Sequence, residues 1–149
     1  MHYSKGDAAK AMEYYQTFLE YGTRIGDRKA MATAMGNIAI IHQEQGEHER
    51  ALQLYQKSLE INQESGDRMA VAMNFGNMGL VYKSKGDYAQ AIELFTAYRD
   101  TSREIGFKQG VGIAGLNLPA LVHIEDQQPT SLESENVLST EQPISSPGA

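Results

Sequence analysis

Apolar residues recur at steps of three and four along most of this chain. The stretch ERALQLYQKSLEI, which starts at Glu49, carries small and apolar side chains at helical spacing: Ala51, Leu52, Leu54, Tyr55, Ser58 and Leu59. This spacing is the stripe of an amphipathic helix. Because no proline occurs before position 119, the pattern predicts helices throughout the first 118 residues.

The helices are separated at regular intervals. Glycine recurs every twenty residues, at Gly6, Gly26, Gly46, Gly66, Gly86 and Gly106, and an acidic residue follows all but the last. Glycine ends a helix in the left-handed conformation, and an aspartate at the next position can cap a new one. The spacing therefore predicts helices at about residues 7–24, 28–45, 48–64, 68–85, 88–104 and 108–122.

The underlying period is forty residues. Aligning residues 6–45 with residues 46–85 without gaps gives identical residues at thirteen positions. One unit is thus a pair of antiparallel helices, which can bury its apolar faces only against neighbouring units. We expect an all-α solenoid over residues 7–123, with two full pairs at 28–64 and 68–104 flanked by half repeats.

The residues in these units resemble tetratricopeptide repeats (TPRs). The stretch FGNMGLVY supplies Phe75, Met78, Gly79 and Tyr82, and Ala91 and Phe95 follow on the next helix. The forty-residue length and the repeated Gly-Asn pairs are similar to the repeats of kinesin light chains, of spindle-orientation adaptors and of bacterial TPR signalling proteins. The resemblance implies a right-handed solenoid that acts as a scaffold or adaptor, with no catalytic activity and no cofactor.

In this family the first helix of each pair lines a concave groove, which places a candidate site. By the glycine register, Asn37, Asn77 and Asn117 occupy one equivalent position. Asparagine amides both donate and accept hydrogen bonds, so a column of them can pair with the backbone of an extended peptide. One turn to either side lie the other predicted groove residues: Thr33, Ile40, Met73, Leu80 and Ile113.

Two interpretations of the asparagines stay open. They either contact a peptide or tie adjacent helices together. Spindle-orientation adaptors often carry an arginine that grips acidic peptides close to this point, where this chain has Thr33 and Met73. The lysines and arginines that hold a terminal carboxylate in chaperone-binding members of the family are missing too. A strongly acidic peptide or a terminal carboxylate is therefore not the expected ligand.

Composition narrows the function classes further. The net charge is −6, but Lys108 is the last basic residue and five carboxylates follow it, so the body is nearly neutral and the tail is acidic. A neutral body argues against nucleic-acid binding. No run is apolar enough for a membrane span. The chain has no cysteine, so no disulfide indicates an oxidising compartment. We expect a cytoplasmic protein.

Two sequence patterns resemble ligand-binding motifs, one for a dinucleotide and one for a metal ion. GVGIAG at residues 110–115 satisfies a dinucleotide-binding motif, but it lies within a predicted helix, where the motif loses its meaning. His42, Glu44, Glu47 and His48 cluster around Gly46 and invite a metal site. The repeat register instead places both histidines at positions where the next unit has tyrosines, which favours packing.

The ends of the chain suggest two further expectations. The first predicted helix carries apolar residues that no preceding helix covers, which predicts either a piece of a longer array or a homo-oligomer formed through uncapped end helices. From residue 124 the chain is acidic and proline-containing, which predicts a disordered tail. The predicted function is a protein–protein interaction module that holds an extended or helical peptide segment of a partner in the groove. The alternative is a regulatory or sensor segment of a larger signalling protein that self-associates.

Overall fold

The computed structural model of the chain describes residues 4–127. Within these residues there are six α-helices and no strand, so the predicted all-α class is confirmed. The helices are α1 Lys5–Ile25, α2 Arg28–Glu44, α3 His48–Ser65, α4 Arg68–Lys85, α5 Tyr88–Glu104 and α6 Lys108–Asp126. The tail was predicted over residues 124–149, and its residues from 128 onward lie outside the described part of the chain.

The helix boundaries follow from local chemistry. The glycines at positions 26, 46, 66, 86 and 106 all have φ of 73–80°, a conformation that glycine adopts without steric cost. Asp27 and Asp67 each accept a hydrogen bond from the amide three residues on, at 3.0 Å from Ala30 and 3.1 Å from Ala70. Glycine therefore closes one helix and aspartate opens the next, as predicted.

The two end helices differ from their predicted bounds. The α1 helix begins at Lys5 rather than at residue 7, because Ser4 caps it: Ser4 Oγ accepts from the Asp7 amide at 3.2 Å. The α6 helix continues through Pro119 to Asp126. A proline removes one backbone hydrogen bond, but Leu118 and Leu121 beside it are buried and hold the last turns in place.

The helices form two layers. Consecutive helices pack against each other, and α4 also contacts α2 and α6, whereas α1, α3 and α5 do not contact one another. We call the first set the inner helices and the second the outer helices. Because the inner helices are more closely spaced, the stack curves towards them. The consecutive pairing is that of a TPR-like solenoid.

One ion pair repeats with the forty-residue period. Arg28 bonds Glu64 at 2.7 Å, and Arg68 bonds Glu104 in the same way one unit later. Each pair joins the start of an inner helix to the end of the following outer helix. All four side chains are at least half exposed, so each pair contributes at most about 1 kcal/mol.

Candidate functional site

A cavity of about 250 Å³ opens between α2, α3 and α4. Its lining includes five of the eight residues predicted for the groove: Thr33, Asn37, Ile40, Met73 and Asn77. The first three belong to α2 and the last two to α4. The structure thus brings the predicted residues of two successive inner helices together around one opening.

The two asparagines at this opening are free to bond a ligand. Asn37 and Asn77 are both partly exposed, and neither side chain forms a hydrogen bond to another residue in the described part of the chain. Each amide can donate two hydrogen bonds and accept others. The pair therefore offers unused donors and acceptors at the opening, one amide from α2 and one from α4.

The third predicted asparagine has a different environment. Asn117 Oδ1 accepts a hydrogen bond from Lys83 Nζ at 2.9 Å, and Asn117 Nδ2 donates to the Ile113 carbonyl at 2.9 Å. Ile113 itself packs against the core between α5 and α6. Leu80 is 37% exposed and does not line the cavity. Asn117, Ile113 and Leu80 therefore do not share the opening with the other five residues.

The floor of the cavity contains three polar residues that sequence reasoning missed. Ser58 Oγ donates to the Ala32 carbonyl at 2.9 Å, and Asn62 Nδ2 donates to Asn74 Oδ1 at 2.8 Å and to Ser58 Oγ at 3.4 Å. All three side chains are buried. The sequence contained a signal for these residues, because they are polar side chains at helical positions that should face the core.

One difference between the two full repeats, Ser58 in the first and Tyr98 in the second, accounts for the cavity. In the second unit, the ring of Tyr98 fills the space against Gly76, where an added Cβ would lie 2.9 Å from Tyr98 Cε1. Forty residues earlier the same positions hold Ser58 and Gly36, and an added Cβ at Gly36 would be 3.7 Å from Ser58 Oγ. The small serine leaves open what the tyrosine fills.

The rest of the cavity lining combines charged, polar and apolar residues. Lys29 and Asp67 also line it, and the Asp67 carboxylate caps α4 through the Ala70 amide. The other lining groups are amides, the hydroxyls of Thr33 and Ser58, and small or apolar residues. A second cavity of about 670 Å³ lies beside α3, lined in part by Leu52 and Tyr82, and it contains none of the predicted residues.

The glycine-rich stretch at 110–115 has a packing explanation. A Cβ at Gly110 would come within 2.2 Å of Ser102 Oγ and 2.7 Å of Phe107 Cδ1. Gly110 therefore lets α6 approach the end of α5. The stretch lies inside α6 and follows the helix α5, whereas a dinucleotide motif needs a preceding strand.

The histidine cluster is arranged for packing and pairing. His42 Nδ1 lies 3.4 Å from Glu47 Oε1, and Glu47 Oε2 accepts from Arg50 at 3.0 Å. His42 and His48 are both partly buried. Among residues 4–127, no group of three or more potential ligands is arranged to hold a metal ion.

Comparison with known proteins identifies the family. A family model for the tetratricopeptide repeat matches residues 1–64 and, in an overlapping match, residues 30–104. The chain belongs to the tetratricopeptide-repeat family. Tetratricopeptide repeats form a non-catalytic scaffold family that mediates protein–protein interaction. The closer likeness to kinesin light chains and adaptors stays a prediction.

Solved structures show the same tetratricopeptide-like architecture. The crystal structure of BtubC (BKLC) from P. vanneervenii matches with a TM-score of 0.63 and 21% sequence identity, over 97% of this chain and 63% of that chain. The chain thus spans less than two thirds of the length of BtubC, and the likeness concerns the fold. A comparison with curated proteins found no match. None of the helices within residues 4–127 combines the length and apolarity needed to cross a membrane.

Proposed function

We propose that this tetratricopeptide-repeat chain is a non-catalytic interaction module that binds an extended peptide segment of a partner protein along its inner helices. The observation that carries the proposal is the pair of unbonded amides, Asn37 and Asn77, at the mouth of one cavity. An extended peptide presents alternating backbone donors and acceptors, which asparagine side chains can match. Met73 and Ile40 beside them supply apolar contact.

The experiment uses peptides selected from a random display library on the full chain, with affinities measured by calorimetry. Replacing both Asn37 and Asn77 by alanine should weaken binding about tenfold or more, because each lost hydrogen bond contributes roughly 1 kcal/mol. Affinity capture from the native lysate then searches for the natural partner.

Asn117→Ala is the matched control, because the Asn117 amide is already bonded to Lys83 and to the Ile113 carbonyl. It should leave peptide affinity within about twofold of the original. Unchanged helicity and melting temperature in all variants would show that the fold is intact. If the Asn37/Asn77 double variant bound the selected peptides as tightly as the original chain, the proposal would be wrong.

A second proposal, self-association, is supported by the exposed face of α1. The α1 helix packs against α2 alone, whereas the other outer helices each pack between two inner helices. Tyr14, Tyr21 and Ile25 are 67%, 58% and 54% exposed. The residue equivalent to Tyr21 in α3, Ile61, is buried. The α1 face thus carries the apolar residues of a covered outer helix.

We infer that the occupant of this face is the α1 helix of a second copy. The helix at the other end of the stack, α6, would pack poorly against the α1 face of a second copy. It carries Leu116 at the position where α2 and α4 carry Gly36 and Gly76. At Gly76 even a Cβ would meet the facing aromatic ring. Two α1 faces related by a two-fold axis bury the same residues without that clash.

Sedimentation velocity over a wide concentration range tests this contact. The chain should shift from monomer to dimer as its concentration rises, and Tyr21→Glu should keep it monomeric. Leu116→Glu, on the exposed face of α6, is the control and should leave the shift unchanged. A chain that stayed monomeric at high concentration, or a dimer disrupted only by Leu116→Glu, would contradict the α1 contact.

A further inference from the structure

The cavity between α2, α3 and α4 has a counterpart inside the same molecule. Adding forty to the positions of Gly36, Ser58 and Asp67 gives Gly76, Tyr98 and Phe107. In that second unit the Tyr98 ring lies against Gly76, and its centroid is 6.4 Å from that of Phe107. The space that is open in one unit therefore holds a phenol ring in the next.

The size of the opening suits the same ring. A closed cavity of about 150 Å³ is enough to hold benzene in a protein core. The cavity here is about 250 Å³, so a benzene-sized ring with a further polar substituent fits. A Cβ added at Gly36 would lie 3.7 Å from Ser58 Oγ, which is ordinary van der Waals contact, so Gly36 adds the volume of a methyl group to the wall of α2.

The floor of the cavity offers hydrogen-bonding groups for a hydroxyl. Asn62 Nδ2 and Asn74 Oδ1 are bonded to each other at 2.8 Å. The remaining polar atoms of the two amides, Asn62 Oδ1 and Asn74 Nδ2, form no bond with other residues of the described chain. One is an acceptor and the other a donor, and a phenol hydroxyl both donates and accepts.

We propose that this cavity binds the side chain of a tyrosine in the partner peptide, in the place that Tyr98 occupies one repeat later. The inference rests on the proposed peptide-binding function and specifies its anchor residue. The ring lies between Gly36 and Met73, and its hydroxyl bonds the Asn62 and Asn74 amides. Aromatic anchors in such pockets commonly dominate the affinity of an interface.

The first test uses p-cresol, the side-chain analogue of tyrosine, added at millimolar concentration to the isotope-labelled full chain. Chemical-shift changes should concentrate at Ser58 and at the side-chain amides of Asn62 and Asn74. Toluene, which lacks the hydroxyl, should bind roughly two- to tenfold more weakly, as expected for the loss of one or two hydrogen bonds. The absence of p-cresol shifts at these residues would overturn the inference.

Two variants fill the cavity from opposite walls. Ser58→Tyr reproduces the pairing of Tyr98 with Gly76, and Gly36→Leu fills the space from α2. Either folded variant should lose the p-cresol shifts, so the test survives if one of them unfolds. Leu116→Ala, on the exposed face of α6 and outside the cavity, is the control and should keep them. Shifts that persisted in both filled variants would also overturn the inference.

Peptides selected by display separate this inference from the proposed function. They should share one tyrosine, its replacement by alanine should weaken binding at least tenfold, and Ser58→Tyr should weaken binding to a similar extent. A different result would separate the two proposals: selected peptides that lack an aromatic residue, bind Ser58→Tyr normally and bind the Asn37/Asn77 double variant poorly. It would overturn the tyrosine anchor and leave the groove function standing.

Discussion

The ring of Tyr98 lies directly against the backbone of Gly76, with Cε1 only 2.9 Å from where a Cβ would be. One repeat earlier, the equivalent Gly36 faces only the hydroxyl of Ser58. The same glycine thus serves two different purposes in successive units. At Gly76 it admits an aromatic ring to the core, and at Gly36 it forms the wall of a cavity.

This difference predicts opposite effects for one substitution. Gly76→Ala should lower the free energy of unfolding by about 1–3 kcal/mol, because Tyr98 is buried and overpacking a core costs that much. Gly36→Ala should raise it by roughly 0.5–1 kcal/mol, because alanine is the better helix former and meets nothing closer than 3.7 Å. Denaturant unfolding followed by circular dichroism measures both, and equal effects at the two sites would contradict the packing described.

The buried amide pair predicts coupling between two positions. Asn62→Ala and Asn74→Ala should each destabilise the protein by about 1–3 kcal/mol, because each leaves a buried polar group without its partner. The double variant removes both polar groups, so its loss of stability should be smaller than the sum of the two single losses. We expect the difference to be at least about 1 kcal/mol. A double-mutant cycle in denaturant measures this coupling, and strictly additive losses would show that the 2.8 Å bond contributes little.

The close approach of α5 and α6 predicts that a second substitution restores stability lost through a first. Gly110→Ala should destabilise the protein by about 1–3 kcal/mol, because the new methyl group would overlap Ser102 Oγ. Adding Ser102→Gly should restore a substantial part of that loss. The contact between α1 and α2 already contains this swapped arrangement: Gly22 faces Ala30, and a Cβ added at Gly22 would lie 3.3 Å from the Ala30 Cβ. Melting curves compare the single and double variants, and the absence of rescue would assign the strain to Phe107 instead.

Tyr55 predicts a loss of stability in alkaline solution. Burial, with a smaller contribution from the Glu44 carboxylate, raises the pKa of Tyr55 above its ordinary value of 10.0. The folded state therefore keeps the proton more tightly than the unfolded chain. Its stabilising effect is complete below pH 10 and is lost as the pH rises from there towards the folded-state pKa, by up to about 1.4 kcal/mol per pH unit.

Tyr55→Phe is the control for this titration. It removes the hydrogen bond that Tyr55 donates to Gln43 Oε1 at 2.7 Å, so it should be less stable at neutral pH by about 1 kcal/mol. Its stability should then fall less steeply above pH 10, and the two curves should approach each other. Parallel curves from neutral to alkaline pH would contradict the assignment. Unfolding free energies at each pH provide the comparison.

The sequence alone determined the helical architecture of this protein. Helix ends depend on interactions within a few residues, such as the positive φ of Gly66 and the bond between Asp67 and the Ala70 amide. Because these signals are local and recur every twenty residues, they predicted the four central helices closely. The two end helices were the exceptions, since Ser4 rather than Asp7 caps α1 and α6 continues past Pro119 to Asp126.

The groove was only partly predictable, and the tertiary structure decided the rest. The forty-residue period treats Asn37, Asn77 and Asn117 as equivalent, yet the first two line a cavity and the third bonds Lys83. Whether a cavity forms depends on the volumes of side chains that meet across different helices, such as Ser58 opposite Gly36. A periodic pattern records where a residue lies along its helix, but the space left between helices depends on what the facing helix contributes.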